Sequence, residues 1–300
     1  MKHKVLNHKE SFEIVFRKLV KGDPFTFVRF GDGDHIIMYK HSLGKVVGGG
    51  NQFYVTQKLQ DEIIECYNIV DDNFLVGTML NDTLPHQMMK FESRINHSML
   101  PDLVERETML AMSCLFEIFL KNTSLFKKFS QELRKTRTMF VCGYNHPNIA
   151  KVYGSGVYIK VPIKNCYATI DDWYPEIVKN SESVDKIILS AGFAGRVVAK
   201  RLFKEGIKKI VLDVGSLSDV FIYHTGLKNQ IKRRTFMRHA ENKIYAKDPD
   251  KLIDEISELF KKYYPKKKQV FKKRLTIRRK NRIRKNAIKL RRFTRRLHKK

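Results

Sequence analysis

The residues best suited to chemistry lie together near the N-terminus, in Arg29-Phe30-Gly31-Asp32-Gly33-Asp34. Two carboxylates one residue apart, each preceded by glycine, offer hard oxygen donors. Such donors suit Mg2+ or Mn2+, ions that often share their coordination with substrate phosphates. In an extended turn the Asp32 and Asp34 carboxylates point the same way. Gly31 and Gly33 permit positive φ and let the backbone approach a ligand. Arg29 brings a fixed charge, either for a phosphate or to hold one aspartate in place. The competing reading is a Gly/Asp turn with solvated carboxylates.

The elements that must position this turn can be read around it. Phe25 to Phe30 is apolar, aromatic and β-branched, broken only by Thr26 and Arg29, and reads as a buried strand. Before it, Phe12, Val15, Phe16 and Leu19 recur at helical spacing over 8–21, and Gly22-Asp23-Pro24 ends that helix. After it, 35–41 reads as a short helix whose first amides would face the aspartates, a natural place for phosphate. Gly48-Gly49-Gly50 reads as a loop, either plain or anion-cradling. An amphipathic helix over 55–69 and a strand over 74–77 follow. Residues 81–135 read as mostly helical around the apolar run Met109–Leu120, which Arg106 and Glu107 open.

A second set of candidates comes later. Thr138 to Gly143 reads as a strand, followed by a loop in which His146 either touches a ligand or is simply exposed. Tyr158 to Pro162 is a further strand, and Asp171 or Asp172 reads as a helix N-cap. Residues 186–214 form the clearest unit: a strand, Gly192-Phe193-Ala194-Gly195, a helix ended by Gly206, and a strand ending in Asp213. This is a β-loop-α-β unit with a glycine turn, as in nucleotide-binding α/β folds. The Gly192 and Gly195 spacing is not the dinucleotide fingerprint, so NAD is not supported. Asp213 is placed for a ribose or base contact or as a cap, and Gly215 to Asp219 form a loop at the same sheet edge. A last amphipathic helix over about 249–263 closes the fold.

Charge divides the chain unevenly. Residues 261–300 carry 21 Lys and Arg and no Asp or Glu, leaving 38 basic against 31 acidic residues, a net of +7, in 1–260. Ile283, Leu290 and Leu297 stand seven apart, with Ala287 and Phe293 between them, a narrow apolar stripe on a basic helix. Such a helix lies on an anionic membrane surface or binds nucleic acid through its charge; a localisation signal or a disordered solubilising arm has the same composition. The four cysteines form no CxxC pair and sit in apolar surroundings, so buried free thiols and a reducing compartment are expected. No secretory signal is visible, and Met109–Leu120, which contains Glu117, is too short to span a bilayer.

Taken together, Arg29-Phe30-Gly31-Asp32-Gly33-Asp34 and the segment from Ile188 to Gly215 resemble the GT-D glycosyltransferases, a bacterial family first catalogued as a domain of unknown function. The similarity spans roughly 10–260. It implies a nucleotide-sugar donor and a divalent metal, Mn2+ or Mg2+, held by a DxE motif. Asp32 matches the Asp of that motif, Asp34 stands where the family has Glu, and Arg29 matches the family Arg. The shorter Asp34 brings the metal closer to the backbone or requires a bridging water. Ser216 stands where a His is expected, and the basic tail has no counterpart.

The expected fold is therefore α/β and Rossmann-like, a mostly parallel sheet flanked by helices, with a basic helical or disordered C-terminal tail. A catalytic domain over 1–264 and a tail over 265–300 are expected. The expected activity is metal-dependent transfer of a sugar from a nucleoside-diphosphate sugar, a UDP-sugar, to a glycan, lipid-linked or protein acceptor. Asp32 and Asp34 would hold metal, assisted by Arg29. Arg29, Gly31, Gly33, Gly192, Asp213 and Gly215 would contact the donor, with Asp34 or Asp219 as candidate bases. The expected location is cytoplasmic, free or peripheral on a membrane through residues 266–300. A nucleic-acid-binding protein acting through that tail is the alternative, and a phosphoryl-transfer enzyme or nuclease a third reading that lacks the extra acidic cluster of a two-metal site.

Overall fold

In the computed structural model of the chain, the described residues are 4–39, 44–48, 51–79, 103–104, 106–222 and 248–263. They run β1 (Lys4–Val5), α1 (His8–Lys21), β2 (Phe25–Arg29), α2 (Asp32–Tyr39), β3 (Gly44–Gly48), β4 (Asn51–Val55), α3 (Gln57–Tyr67) and β5 (Phe74–Thr78). Then come β6 (Thr108–Ala111), α4 (Cys114–Lys121), α5 (Thr123–Arg134), β7 (Thr138–Cys142), α6 (Pro147–Tyr153) and β8 (Ser155–Lys160). The last part is α7 (Ile170–Ser181), β9 (Lys186–Ser190), α8 (Phe193–Lys204), β10 (Ile210–Asp213), α9 (Leu217–Ile222) and α10 (Pro249–Tyr263).

Eight strands form one sheet in the order β1-β6-β5-β2-β10-β9-β7-β8, every pairing parallel. Parallel strands joined by helices must be covered on both faces, and they are. α1, α4, α5, α6 and α9 pack together on one side, and α2, α3, α7 and α8 on the other. The first side is built on aromatic rings: Phe119 meets Phe126 and Phe221 edge-on, and Tyr153 meets Phe221 likewise. The second is mainly aliphatic, with Ile63, Ile187, Leu189, Val197, Val198 and Leu202 buried. All four cysteines are free and buried.

β2 and β10 are neighbours although they come from opposite ends of the chain. From β2 the chain winds outward through β5 to β6; β7, β8 and β9 fill the other wing before β10 returns to the centre. In open α/β sheets, ligands bind beyond the carboxyl ends of strands at such a reversal. Arg29 and Asp213 are the last residues of those two strands.

Three elements differ from the sequence reading. The run Met109–Leu120 is a strand to Ala111 and then a helix from Cys114; an uninterrupted apolar run carries no period that would separate the two. Gly48, the first of the three glycines expected in a loop, instead ends β3 and pairs with Asn51 of the antiparallel β4. Helix α2 starts at Asp32, so the acidic turn is helical and not extended. Gly49 and Gly50, the 81–102 part of the mostly helical stretch expected over 81–135, and the tail expected over 265–300 lie outside the described residues. The chain divides into two compact units, Met1–Ser257 and Glu258–Lys300.

α3 and α8 are joined by charge. Glu62 accepts from Arg201 at 2.9 Å and pairs with Lys200 at 3.2 Å, while Glu65 pairs with Lys200 at 2.8 Å. Burial opposes the Glu62 charge, but Arg201 and Lys200 outweigh it and hold its carboxyl below the ordinary 4.5. A group depressed on folding stabilises above its unfolded pKa, and that stability is lost as pH falls through the folded value. The melting temperature is therefore expected to fall as pH drops below about 4.5, and to fall less steeply in Glu62→Gln. Thermal unfolding between neutral pH and pH ~3 checks this; parallel curves for the two proteins would refute it.

Candidate active site

The turn after β2 is shaped by its own residues. Gly31 stands before the first helical residue, and the His35 N–H donates to the Gly31 carbonyl at 3.1 Å, opening α2. Asp34, three residues after Gly31, reaches back: its Oδ2 accepts the Gly31 N–H at 2.8 Å. That is the carboxylate half of a capping box, and it explains locally why an acid stands at 34. Asp34 is buried, 2% exposed. Asp32 is the first residue of α2, and its side chain lies outside the described residues.

The turn after β9 meets this one. Gly192 takes φ +56° and ψ −138°, a region that only glycine occupies comfortably, and α8 begins at the next residue with no side-chain cap. One turn later Arg196 points back under the sheet edge. Its Nη2 donates to Asp34 Oδ2 at 3.0 Å, and its Nη1 donates to the Gly192 carbonyl at 2.6 Å. Nη1 also lies 3.4 Å from Asp213 Oδ2. The two glycine turns touch as well: a Cβ on Gly33 would lie 2.9 Å from the Phe193 ring.

Asp213 closes the arrangement. Its Oδ1 accepts the Gly215 N–H at 2.9 Å, and its Oδ2 accepts the Arg29 N–H at 3.3 Å. Arg29 Nε lies 3.8 Å from Oδ1, and Nη1 donates to the Met112 carbonyl at 3.4 Å. The Arg29 guanidinium lies against Gly215, whose φ is +47°, and a Cβ built there would overlap Nη2. Gly215 is thus required twice, by backbone conformation and by space. Neighbouring turns are tied in: Ser190 Oγ donates to the Gly215 carbonyl at 2.9 Å, and His35 Nε2 lies 3.1 Å from Thr78 Oγ1.

Two arginines and two carboxylates leave this cluster without net charge. Burial opposes the Arg196 charge, but Asp213 and Asp34 outweigh it and hold the guanidinium protonated. Burial pushes the Asp34 carboxyl up, against the pull of Arg196 and the Gly31 N–H. Three side-chain atoms of the cluster are buried without a hydrogen-bond partner, the donors Arg29 Nε and Arg196 Nε and the acceptor Asp34 Oδ1. Asp34 Oδ1, a buried carboxylate oxygen with nothing to bind, fits a cation ligand. Among the described residues no group of three or more His, Cys, Asp or Glu could hold a metal by itself. A cation here would need oxygens from Asp32 or from a bound phosphate.

The structure thus brings Arg29, Gly31, Gly33, Asp34, Gly192, Asp213 and Gly215 to one sheet edge. Arg29 is directed into the aromatic side, behind Asp213. Ser216 is exposed, and Asp219 lies in the first turn of α9. His146 caps α6, its Nδ1 accepting the Asn148 N–H at 3.2 Å. Asp171 pairs with Arg201 at 2.7 Å on the far helices. Arg196 was missed. The signal was an arginine in the first turn of α8, between Gly195 and Val197, where the helix dipole disfavours a cation and a buried carboxylate must compensate.

The same fold is found in solved structures. One, described as "A New Glycosyltransferase (DUF1792) from Streptococcus sanguinis", matches with a TM-score of 0.54 at 16% identity, over 82% of this chain and 88% of that one. Another, described as "The highly conserved domain of unknown function 1792 has a distinct glycosyltransferase fold", matches with a TM-score of 0.52 at 17% identity, over 71% and 78%. A selenomethionine-substituted structure of domain of unknown function 1792 gives 0.54 at 16%, over 72% and 79%. At these identities the likeness is one of fold. No family model and no curated protein matches the chain.

Proposed function

We propose that this chain is a glycosyltransferase that moves a sugar from a nucleoside-diphosphate donor, a UDP-sugar, to a glycan, lipid-linked or protein acceptor. The observation that carries the reading is the meeting of two helix-opening glycine turns, at Gly31–Asp34 after β2 and at Gly192–Phe193 after β9, the strands that flank β10. The fold shared with DUF1792 structures supports it. Helix starts at the carboxyl ends of parallel strands, here β2 and β9 on either side of β10, favour an anion.

Each helix N-terminus contributes about half a positive charge, so two fall short of a doubly charged diphosphate. Arg29 and Arg196 are already engaged by Asp213 and Asp34. Mn2+ or Mg2+ would make up the difference, held by Asp34 Oδ1, Asp32 and the donor's phosphate oxygens. When bound it would act as a Lewis acid toward the leaving diphosphate. The chain's own part is to hold Asp34 with one oxygen open and to keep the Gly192 turn against α2. Asp213 would reach the nucleoside through the Gly215 loop, and Asp219 stands as the candidate base toward an acceptor hydroxyl.

The test is UDP-sugar hydrolysis or transfer with Mn2+ present and removed, repeated on Asp32→Ala. Activity is expected only with the metal, and a fall of at least about 100-fold is expected in the variant. Full metal-free activity, or an unaffected variant, would reject the mechanism. Deleting 266–300 is expected to spare UDP binding and the chemistry. Attachment of those residues to an anionic membrane surface remains a proposal from composition. The nucleic-acid alternative draws on the same residues, which lie outside those described, and nothing at the sheet edge favours it. No helix among the described residues is long and apolar enough to cross a membrane.

A further inference from the structure

The geometry points to Arg196 as the positioning residue of the donor site, acting through Asp34 and the Gly192 turn; this rests on the function proposed above. A cation in the first turn of a helix is opposed by the helix dipole, and Arg196 is also 7% exposed, so burial opposes it again. Its three partners offset both costs: the Asp34 carboxylate and the Gly192 carbonyl, which accept hydrogen bonds, and the Asp213 carboxylate, which pairs with it by charge. These belong to three strand-ending segments, one of them from the other half of the chain. Lys200, one turn further along α8, is buried to a similar degree but pairs with Glu62 and Glu65, away from the sheet edge.

Each bond has a consequence for binding. By taking Asp34 Oδ2 together with the Gly31 N–H, Arg196 fixes which oxygen stays open. By taking the Gly192 carbonyl, it holds the backbone in its unusual conformation at the start of α8, where no side chain caps the helix. One planar guanidinium does both, because its donors diverge in fixed directions. A lysine ammonium is a single compact point on a flexible stem and cannot span the same acceptors. Arg196 touches neither donor nor acceptor in this account; it sets the spacing between the turn that takes the anion and the turn that takes the cation.

The test uses the full chain, with UDP and Mn2+ as the probe. Arg196→Lys is compared with wild type by calorimetry and by amide hydrogen exchange over 30–36 and 190–196, with 138–142 in β7 as the internal reference. Tenfold or greater weakening of UDP is expected, with faster exchange in both turns and none in β7, and the donor KM should rise more than kcat falls. Because one charge is kept, Arg196→Lys should still fold. The Arg196→Met/Asp34→Asn pair covers the case where it does not, by removing the cation and one partner together. That pair should show the same fast exchange at both turns. Wild-type exchange in either turn of the variants, or unchanged UDP affinity in a chain that binds UDP, overturns the inference. If wild type binds no nucleoside diphosphate at all, the proposed function fails, and the exchange measurement alone decides the role of Arg196.

Discussion

Asp213→Asn is expected to lower the melting temperature by roughly 10 °C, the largest stability effect of any isosteric change at the sheet edge. Both carboxylate oxygens are in use. Oδ1 accepts the Gly215 N–H, and Oδ2 accepts the Arg29 N–H and lies near Arg196 Nη1. Whichever way an asparagine is turned, its NH2 faces a donor. Arg29 also loses its nearest counterion, and its Nε already lacks a hydrogen-bond partner. Removing one member of a buried ion pair costs about 3–5 kcal/mol, because the remaining charge stays buried. For a domain of this size each kcal/mol shifts the midpoint by about 2–4 °C. Thermal unfolding monitored by circular dichroism checks this; a shift under about 3 °C would show that water or a rearranged Arg29 replaces the lost acceptor.

Asp34→Asn should behave in the opposite way, keeping the fold and losing the activity. The two aspartates share Arg196 and differ in one atom. Asp34 Oδ1 has no hydrogen-bond partner, so an asparagine can place its NH2 there and still accept from Gly31 and Arg196 through its oxygen. Arg196 keeps Asp213 as a counterion. The stability cost is expected to be about 1–2 kcal/mol, near that of one charged hydrogen bond. The open acceptor, however, becomes a donor, which repels a cation. Loss of one electrostatic stabiliser of a transition state typically costs 10²–10³ in rate, and a fall of about that size is expected in Mn2+-dependent UDP-sugar turnover. Retention of wild-type turnover would remove Asp34 from the metal site and leave it as the helix cap that its Gly31 contact already makes it.

The contrast shows which part of the site local sequence can carry. The acidic turn, the glycine turn at 192 and the strand ending in Asp213 all announce themselves through composition over a few residues. Each is a strand followed by glycine, and the physics of that pattern is local: a buried extended run, then a backbone that must turn. The β-loop-α-β unit over 186–214 was legible for the same reason, since period-2 and period-3.6 patterns alternate within thirty residues. The helix start at Asp32 was less so, because Gly-Asp-Gly-Asp suits an extended turn as well as a capping box, and only the bond from Gly31 to Asp34 distinguishes them.

By itself, then, the sequence determined the class of fold, the two turns and the residue types gathered at the sheet edge. It could not determine that β2 and β10 are neighbours, because nearly two hundred residues separate them and parallel pairing leaves no local mark. Nor could it give Arg196 its role, since a guanidinium that joins Asp34, Gly192 and Asp213 is meaningful only once three distant segments share one edge. It likewise could not separate strand from helix within Met109–Leu120, where burial on every side erases the period. Tertiary structure decided these points because burying charge is costly. Arg29 and Arg196 can be buried only where folding also delivers Asp34 and Asp213, and that requirement appears only when the sheet is assembled.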